Sequence, residues 1–187
     1  MYKRFWRCDL ALSPAACDST EPGAVDVGRI IQEERGRLDE RAYVQDPQLQ
    51  NLVSVLRLNH AMGRKALLVG HSQGNFYANQ AINYLQLVSR DVAVCVDTVA
   101  TATLASYVAK SGPYITRDDD RAVSNARWYF TGGASILPAN IVGGSSFFAR
   151  SSNHNFIEAY LTPSHMSSRL RADIVARTAI RNRRCGW

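Results

Sequence analysis

Hydrophobic and polar positions along the chain change period several times, and those changes mark out elements. Residues 1–25 mix Pro14, Pro22 and Gly23 with Ser and Asp and show little periodicity, so they read as an irregular lead-in. Residues 25–43 carry Val27, Ile30, Ile31 and Leu38 among charges, a helical spacing. A second helix is expected after Asp46-Pro47, a capping residue followed by a first-turn proline. It runs through Leu49, Leu52, Val53, Leu56 and Leu58 to about Met62, with Gly63 as its stop. Ala66-Leu67-Leu68-Val69 is then a short unbroken apolar run between Lys65 and Gly70, which suits a strand covered on both faces. Segment 76–88 returns to helical spacing, with Ala78, Ala81, Ile82, Leu85 and Val88 in register. Val92-Ala93-Val94-Cys95-Val96 predicts a second buried strand and Pro113-Tyr114-Ile115-Thr116 a shorter third; after Pro163, a basic C-terminal helix and tail occupy 164–187. Helices alternating with apolar strands define an α/β class, a mostly parallel central sheet flanked by helices. A length of 187 residues suits one domain, 1–187, rather than two.

Composition narrows the class. With 46% hydrophobic and 20% charged residues the chain has the material for a packed core, which excludes wholesale disorder and collagen-like or rod-like architectures. No apolar run approaches the roughly 18 residues needed to cross a bilayer, because 93–109 is broken by Asp97 and threaded with Thr and Ser. The net charge of +6 is concentrated at the two ends, in Lys3, Arg4 and Arg7 and in Arg169, Arg171, Arg177, Arg181, Arg183 and Arg184. That distribution fits a docked surface helix with a solvated face, or a peripheral contact with an acidic partner or an anionic membrane surface. No nucleic-acid reader motif accompanies it, so no specific nucleic-acid binding is expected. The four cysteines, Cys8, Cys17, Cys95 and Cys185, lack the close paired spacing of a zinc site, and no metal is expected. Cys95 reads as a small core residue, while the other three leave a disulfide open. The apolar run Leu10-Ala11-Leu12 is too short for a secretory h-region, so no leader peptide is expected. Compartment and oligomeric state stay open.

Chemistry concentrates in Gly70-His71-Ser72-Gln73-Gly74, a G-x-S-x-G pattern. At a sharp strand-to-helix turn a serine is held in a strained conformation with its hydroxyl projecting, and glycines on either side avoid collisions. The helix that follows aims its first amides, including that of Gln73, toward the place where negative charge develops on an attacked carbonyl oxygen. The bare pattern arises by chance in about 6% of chains this long. Its position, directly between a four-residue apolar run and a helix-period segment, separates a nucleophile from a merely structural Gly-flanked turn.

The run Leu67-Leu68-Val69-Gly70-His71-Ser72-Gln73-Gly74-Asn75 resembles the elbow of bacterial lipase- and esterase-like members of the α/β-hydrolase superfamily. The order of Tyr114-Ile115-Thr116, Asp118-Asp119-Asp120, Leu137-Pro138-Ala139-Asn140 and Asn153-His154-Asn155-Phe156-Ile157 extends the likeness over residues 50–162. The resemblance implies a compact α/β-hydrolase-like three-layer fold and a catalytic triad in the order Ser, acid, His. It also implies a small-molecule or lipid-like ester as substrate, with no cofactor.

On that order Ser72 is the nucleophile, and a histidine beyond it must take its proton. His60 precedes Ser72, and His71 is expected to be aimed away by the turn. Of the remaining two, His154 in a Ser/Asn-rich loop is favoured over His165 at the start of the last helix. Asp120 is favoured as the acid, because it follows the third strand by four residues and has Val123 three positions later. Asp118 and Asp119 are its rivals, and Asp97, placed at a strand end, is the outside candidate or else a cap for Thr98 or Thr101. The Gln73 amide supplies one oxyanion donor. The family's second donor follows an earlier strand, and residues 1–46 show neither that strand nor its turn. Either the donor lies in an unrecognised part of the lead-in, or the chain lacks the family's first strands. The alternative function is a catalytically inactive hydrolase-fold binding protein that uses the basic ends.

Overall fold

A computed structural model of the chain describes residues 46–129, 136–143, 153–179 and 185. The lead-in 1–25, the helix expected over 25–43, Cys8, Cys17 and the Arg181, Arg183 and Arg184 cluster lie outside the described residues. Asp46 opens the described part as a helix cap: its Oδ1 accepts from the N–H groups of Gln48 (2.9 Å) and Leu49 (3.1 Å). Helix α1 (Pro47–Ala61) buries Leu49, Val53 and Leu56, one face at i, i+4, i+7. It ends where Gly63 turns left-handed at φ +68°, the conformation only glycine adopts without strain.

Strand β1 (Ala66–His71) follows, then α2 (Gly74–Val88), α3 (Arg90–Val94) and β2 (Val96–Thr101). A 3₁₀ turn (Ala109–Ser111), β3 (Tyr114–Ile115) and α4 (Arg121–Tyr129) come next, then a π-helical segment (Phe156–Leu161) and α5 (Ser164–Ala179). The three strands are parallel in the order β1-β2-β3, with Ala66 opposite Val96, His71 opposite Thr101, and Thr101 opposite Ile115. This is a mixed α/β protein with a small parallel sheet. Side-chain alternation along β1 divides the core in two. Leu67 and Val69 pack with Phe76, Val99, Ile115, Tyr160, Met166 and Leu170, whereas Ala66 and Leu68 pack with Leu49, Val53, Ile82, Leu85 and Val92. The sheet therefore lies between α1, α2 and α3 on one face and the π-helical segment and α5 on the other.

Two expectations need correction. The run 92–96 is not a strand: Val92 and Ala93 belong to α3, Cys95 is a turn, and the strand starts at Val96. A short apolar run buried against neighbouring helices carries no period that separates helix from strand, and here the β-branched residues Val96, Thr98, Val99 and Thr101 carry the strand instead. Cys95 is buried, as a core residue would be, but it is bonded to Cys185, 90 positions away. The bridge fixes the end of the chain to the α3–β2 junction. Beside that junction Lys110 Nζ donates to the carbonyls of Ala93 (3.2 Å), Val94 (3.0 Å) and Val96 (2.7 Å), supplying the last turn of α3 with a cation.

A disulfide across so long a loop restricts the unfolded chain strongly, so Cys185→Ser is expected to lower stability by about 2–4 kcal/mol. Urea unfolding of the variant against the oxidised wild type measures it, and an unchanged midpoint would mean that the bridge does not form.

Candidate active site

Ser72 stands between the last residue of β1 and the first turn of α2 with φ +53°, a left-handed conformation that costs a non-glycine residue about 1 kcal/mol or more. Buried hydrogen bonds hold it there. Its N–H donates to the Thr101 carbonyl (3.1 Å), and the buried Asn75 amide donates to the carbonyls of Ser72 (2.9 Å) and Thr101 (3.0 Å). Gly70 is required because a Cβ there would collide with the Asn75 side chain. Gly74 is not: a Cβ at that position meets none of the described residues, so the expectation that crowding demands both glycines holds for Gly70 alone. Gln73 is already helical (φ −59°, ψ −26°), and no acceptor among the described residues takes its N–H.

The Asp118-Asp119-Asp120 triplet divides three tasks. Exposed Asp118 accepts the Gly143 N–H at 2.7 Å. Asp119 takes a two-pronged bond from Arg117, Nε to Oδ1 and Nη2 to Oδ2, both 2.7 Å, and a bond from Asn153 Nδ2 at 3.2 Å. This hydrogen bonding holds the Asp119 carboxyl below its ordinary value and raises Arg117. Asp120, with no exposed surface, caps α4 through Val123 N–H (3.1 Å) and places both carboxylate oxygens 3.0 Å from His154 Nδ1. His154 Nε2 lies 2.8 Å from Ser72 Oγ. Ser72, His154 and Asp120 thus form one chain of hydrogen bonds across segments more than 30 residues apart. Because the carboxylate accepts at Nδ1, that nitrogen carries the proton and Nε2 is left to accept from the serine hydroxyl.

The other candidates fall elsewhere. Asp97 sits near the start of β2, roughly 13 Å along the strand from Thr101 at about 3.3 Å per residue. It is paired with Lys65 (2.7 Å) and Lys110 (3.5 Å), a structural ion cluster rather than a catalytic acid or a strand-end cap. His165 is exposed on α5, and His60 pairs with Asp91 at 3.3 Å.

Two residues of the site escaped the sequence reading. Tyr160 is buried and its hydroxyl donates to Asp120 Oδ2 at 2.7 Å. Burial, then the adjacent carboxylate, push the phenol well above its ordinary value, so it stays a donor. His71 is not aimed away: its Nε2 lies 2.8 Å from the His154 carbonyl oxygen and its Nδ1 3.0 Å from Thr101 Oγ1. The residue as a whole is half-buried, but its ring is walled by His154, Phe156 and Tyr160, with centroids 5.1, 5.2 and 5.4 Å away. Burial, and next the positive charge His154 can carry, depress its pKa to about 3 against the opposing pull of Asp120. A turn-adjacent histidine has a sequence signal in its position beside the serine, whereas Tyr160 has none beyond an apolar neighbourhood.

A cavity of about 320 Å³ runs between α1 and β1 and reaches the elbow at Gly70, His71 and Gly74, with Leu52, Val55 and Leu56 along its wall. No family model matches the chain, and no curated protein or solved structure matches it either.

The His71 shift has a thermodynamic consequence. An unfolded histidine titrates near 6.5 and this one near 3, so between those values the unfolded chain binds the extra proton and stability falls as pH drops. The expected slope from this group is up to about 1.4 kcal/mol per pH unit. Subtracting urea-derived stability curves of His71→Gln from those of wild type isolates it; a difference curve flat from pH 6.5 to 3 would refute the shift.

Proposed function

We propose that this protein is a serine hydrolase of the α/β-hydrolase type that cleaves carboxylic esters, including lipid-like ones, through a covalent acyl-enzyme. The observation that carries the reading is the 2.8 Å approach of Ser72 Oγ to a His154 whose other ring nitrogen faces a buried carboxylate. A serine hydroxyl alone is a weak nucleophile near neutral pH. His154 Nε2 takes its proton as Oγ bonds to the ester carbonyl carbon, and the carbonyl π electrons move onto oxygen. The resulting oxyanion is stabilised by the Gln73 N–H at the start of α2. His154, now an imidazolium beside Asp120, returns the proton to the leaving alcohol as the C–O bond breaks. Water then repeats the sequence on the acyl-enzyme and releases the acid. This chemistry asks for no metal or organic cofactor.

The strand–elbow–helix geometry, the left-handed Ser72 and the chain order Ser, Asp, His support the hydrolase type. The lead-in, one of the two alternatives left open for the family's second oxyanion donor, lies outside the described residues. We assign the acyl chain to the cavity along β1, which Leu52, Val55 and Leu56 line together with Asn51, Asn59 and Lys65.

A fluorophosphonate probe is expected to label Ser72 in the folded protein and to label nothing in Ser72→Ala. Asp120→Asn, which disturbs the His154 tautomer, is expected to slow labelling by about 10⁴-fold. A folded wild type that never labels would overturn the reading. If the cavity holds the acyl chain, Val55→Trp shifts preference toward short acyl groups. Hydrolysis of a p-nitrophenyl ester series checks this, and an unaltered chain-length profile would remove the cavity from the substrate's path.

A further inference from the structure

One side chain joins the turn that carries the nucleophile to the loop that carries the base. We propose that His71 is a positioning residue: by donating its Nε2–H to the His154 carbonyl oxygen at 2.8 Å, it sets the distance between Ser72 and the His154 ring. The proposal rests on the hydrolase reading of Ser72, His154 and Asp120, and it adds a residue that the triad chemistry itself does not require.

The tautomer follows from the partners. A carbonyl oxygen can only accept, so Nε2 of His71 carries the proton, and in the neutral ring Nδ1 then offers a lone pair. Thr101 Oγ1, 3.0 Å from that lone pair, also lies 3.0 Å from the Gly70 carbonyl. The single hydroxyl proton is shared between two acceptors that both belong to the β1 end of the elbow. His71 is thereby fixed from behind by β2 while its front edge holds the base loop.

The covalent arrangement makes this contact effective. His71 is bonded directly to Ser72, so any shift of the elbow moves the donor that holds His154. The His154 loop has a second anchor on its other side, where Asn153 Nδ2 donates to Asp119. The two anchors differ in what they control: Asp119 ties the base loop to the acid loop, whereas His71 ties it to the nucleophile. Phe156, Tyr160 and the His154 ring pack around the imidazole, at centroid distances of 5.2, 5.4 and 5.1 Å, on the side from which Nε2 meets the carbonyl. A permanently cationic residue at this position would oppose proton uptake by His154 five ångströms away, whereas a neutral donor does not.

The test compares His71→Gln, which keeps an N–H at the ε position, with His71→Met, which has similar reach and no donor. Three readouts are taken: the second-order rate of fluorophosphonate labelling of Ser72, the His154 ring signals in NMR including the low-field proton on Nδ1, and the thermal midpoint. His71→Met is expected to slow labelling by about 10- to 100-fold, the effect of roughly an ångström of misplacement. It is also expected to broaden or shift the His154 Nδ1 proton. His71→Gln is expected to return labelling to within about fivefold of wild type, a rescue that loss of packing alone does not predict.

Wild-type labelling by His71→Met with an unchanged His154 signal would overturn the proposal, and so would a His71→Gln as slow as His71→Met. If His71→Met does not fold, Thr101→Val decides in its place: it removes the hydroxyl behind His71, and labelling slowed while His71→Gln stays near wild type supports the positioning role. No change in Thr101→Val refutes it. Should wild type itself fail to label, the hydrolase reading fails, and the NMR comparison of the His154 ring still decides whether His71 holds it.

Discussion

A carboxylate with no exposed surface needs donors on every side, and Asp120 is satisfied only when three separate segments meet around it. The Val123 N–H belongs to the first turn of α4, the Tyr160 hydroxyl to the π-helical segment, and the His154 Nδ1–H to the loop just before that segment. Leaving such a group without partners costs several kcal/mol, so the fold that buries Asp120 also has to bring Tyr160 and His154 to it. The relay to Ser72 is in this sense a consequence of how one charge is buried. Arg117 reinforces the same convergence from the side: its Nη1 donates to the Ala159 carbonyl at 3.0 Å while its other nitrogens grip Asp119. With the Arg117 N–H donating to the Tyr160 hydroxyl at 3.4 Å, the acid loop and the π-helical segment are thus tied three times among the described residues.

On the Ser72 side the reference point is Thr101. Its carbonyl accepts from Ser72 N–H and from the Asn75 amide, and its hydroxyl lies between the Gly70 carbonyl and the His71 ring. Because Thr101 faces His71 in the parallel register of β1 and β2, the ladder that builds the sheet also fixes the turn that strains Ser72. The Ser72 N–H bond to the Thr101 carbonyl and the Asn75 amide bond to the Ser72 carbonyl, each worth about 1 kcal/mol net, offset the backbone cost of a left-handed residue. A slip of one residue in that ladder would move the Thr101 side chain to the other face of the sheet and separate it from the elbow.

Local signals made much of this legible. The apolar run 66–69, Gly70 and the helix-period segment after it specify a strand, a turn and a helix within twenty residues, and the same short range contains the Asp46 cap and the Gly63 stop. What failed was longer-range or lacked a period. Residues 92–94 are helical, with Val92 and Ala93 packed in the same core cluster as residues of α1 and α2, which an apolar pentapeptide does not announce. The roles of His71 and Tyr160 depend on contacts 83 and 40 positions away. The Cys95–Cys185 bridge likewise joins residues whose neighbourhoods, one apolar and one basic, give no sign of each other. The choice among Asp118, Asp119 and Asp120 was open in the sequence because three identical side chains in a row differ only in where the backbone points them.

The contrast between Asp97 and Asp120 shows why placement decides the role. Both are buried aspartates near β2 and β3, and both stand close to one end of a strand. Asp97 is held between two ammonium groups, Lys65 and Lys110, so its charge is already balanced by fixed cations. A carboxylate in that state has little field left for a third positive group. Asp120 has donors that are neutral in the resting state, a phenol, a backbone amide and an imidazole, and no lysine or arginine among the described residues forms an ion pair with it. Its carboxylate oxygens meet the His154 ring directly, both 3.0 Å from Nδ1, while its charge reaches Arg117 and Arg127 only across a longer gap. In the proposed mechanism a buried carboxylate that no lysine or arginine directly pairs stabilises the imidazolium as it forms, which is what the proposed proton transfer from Ser72 would require.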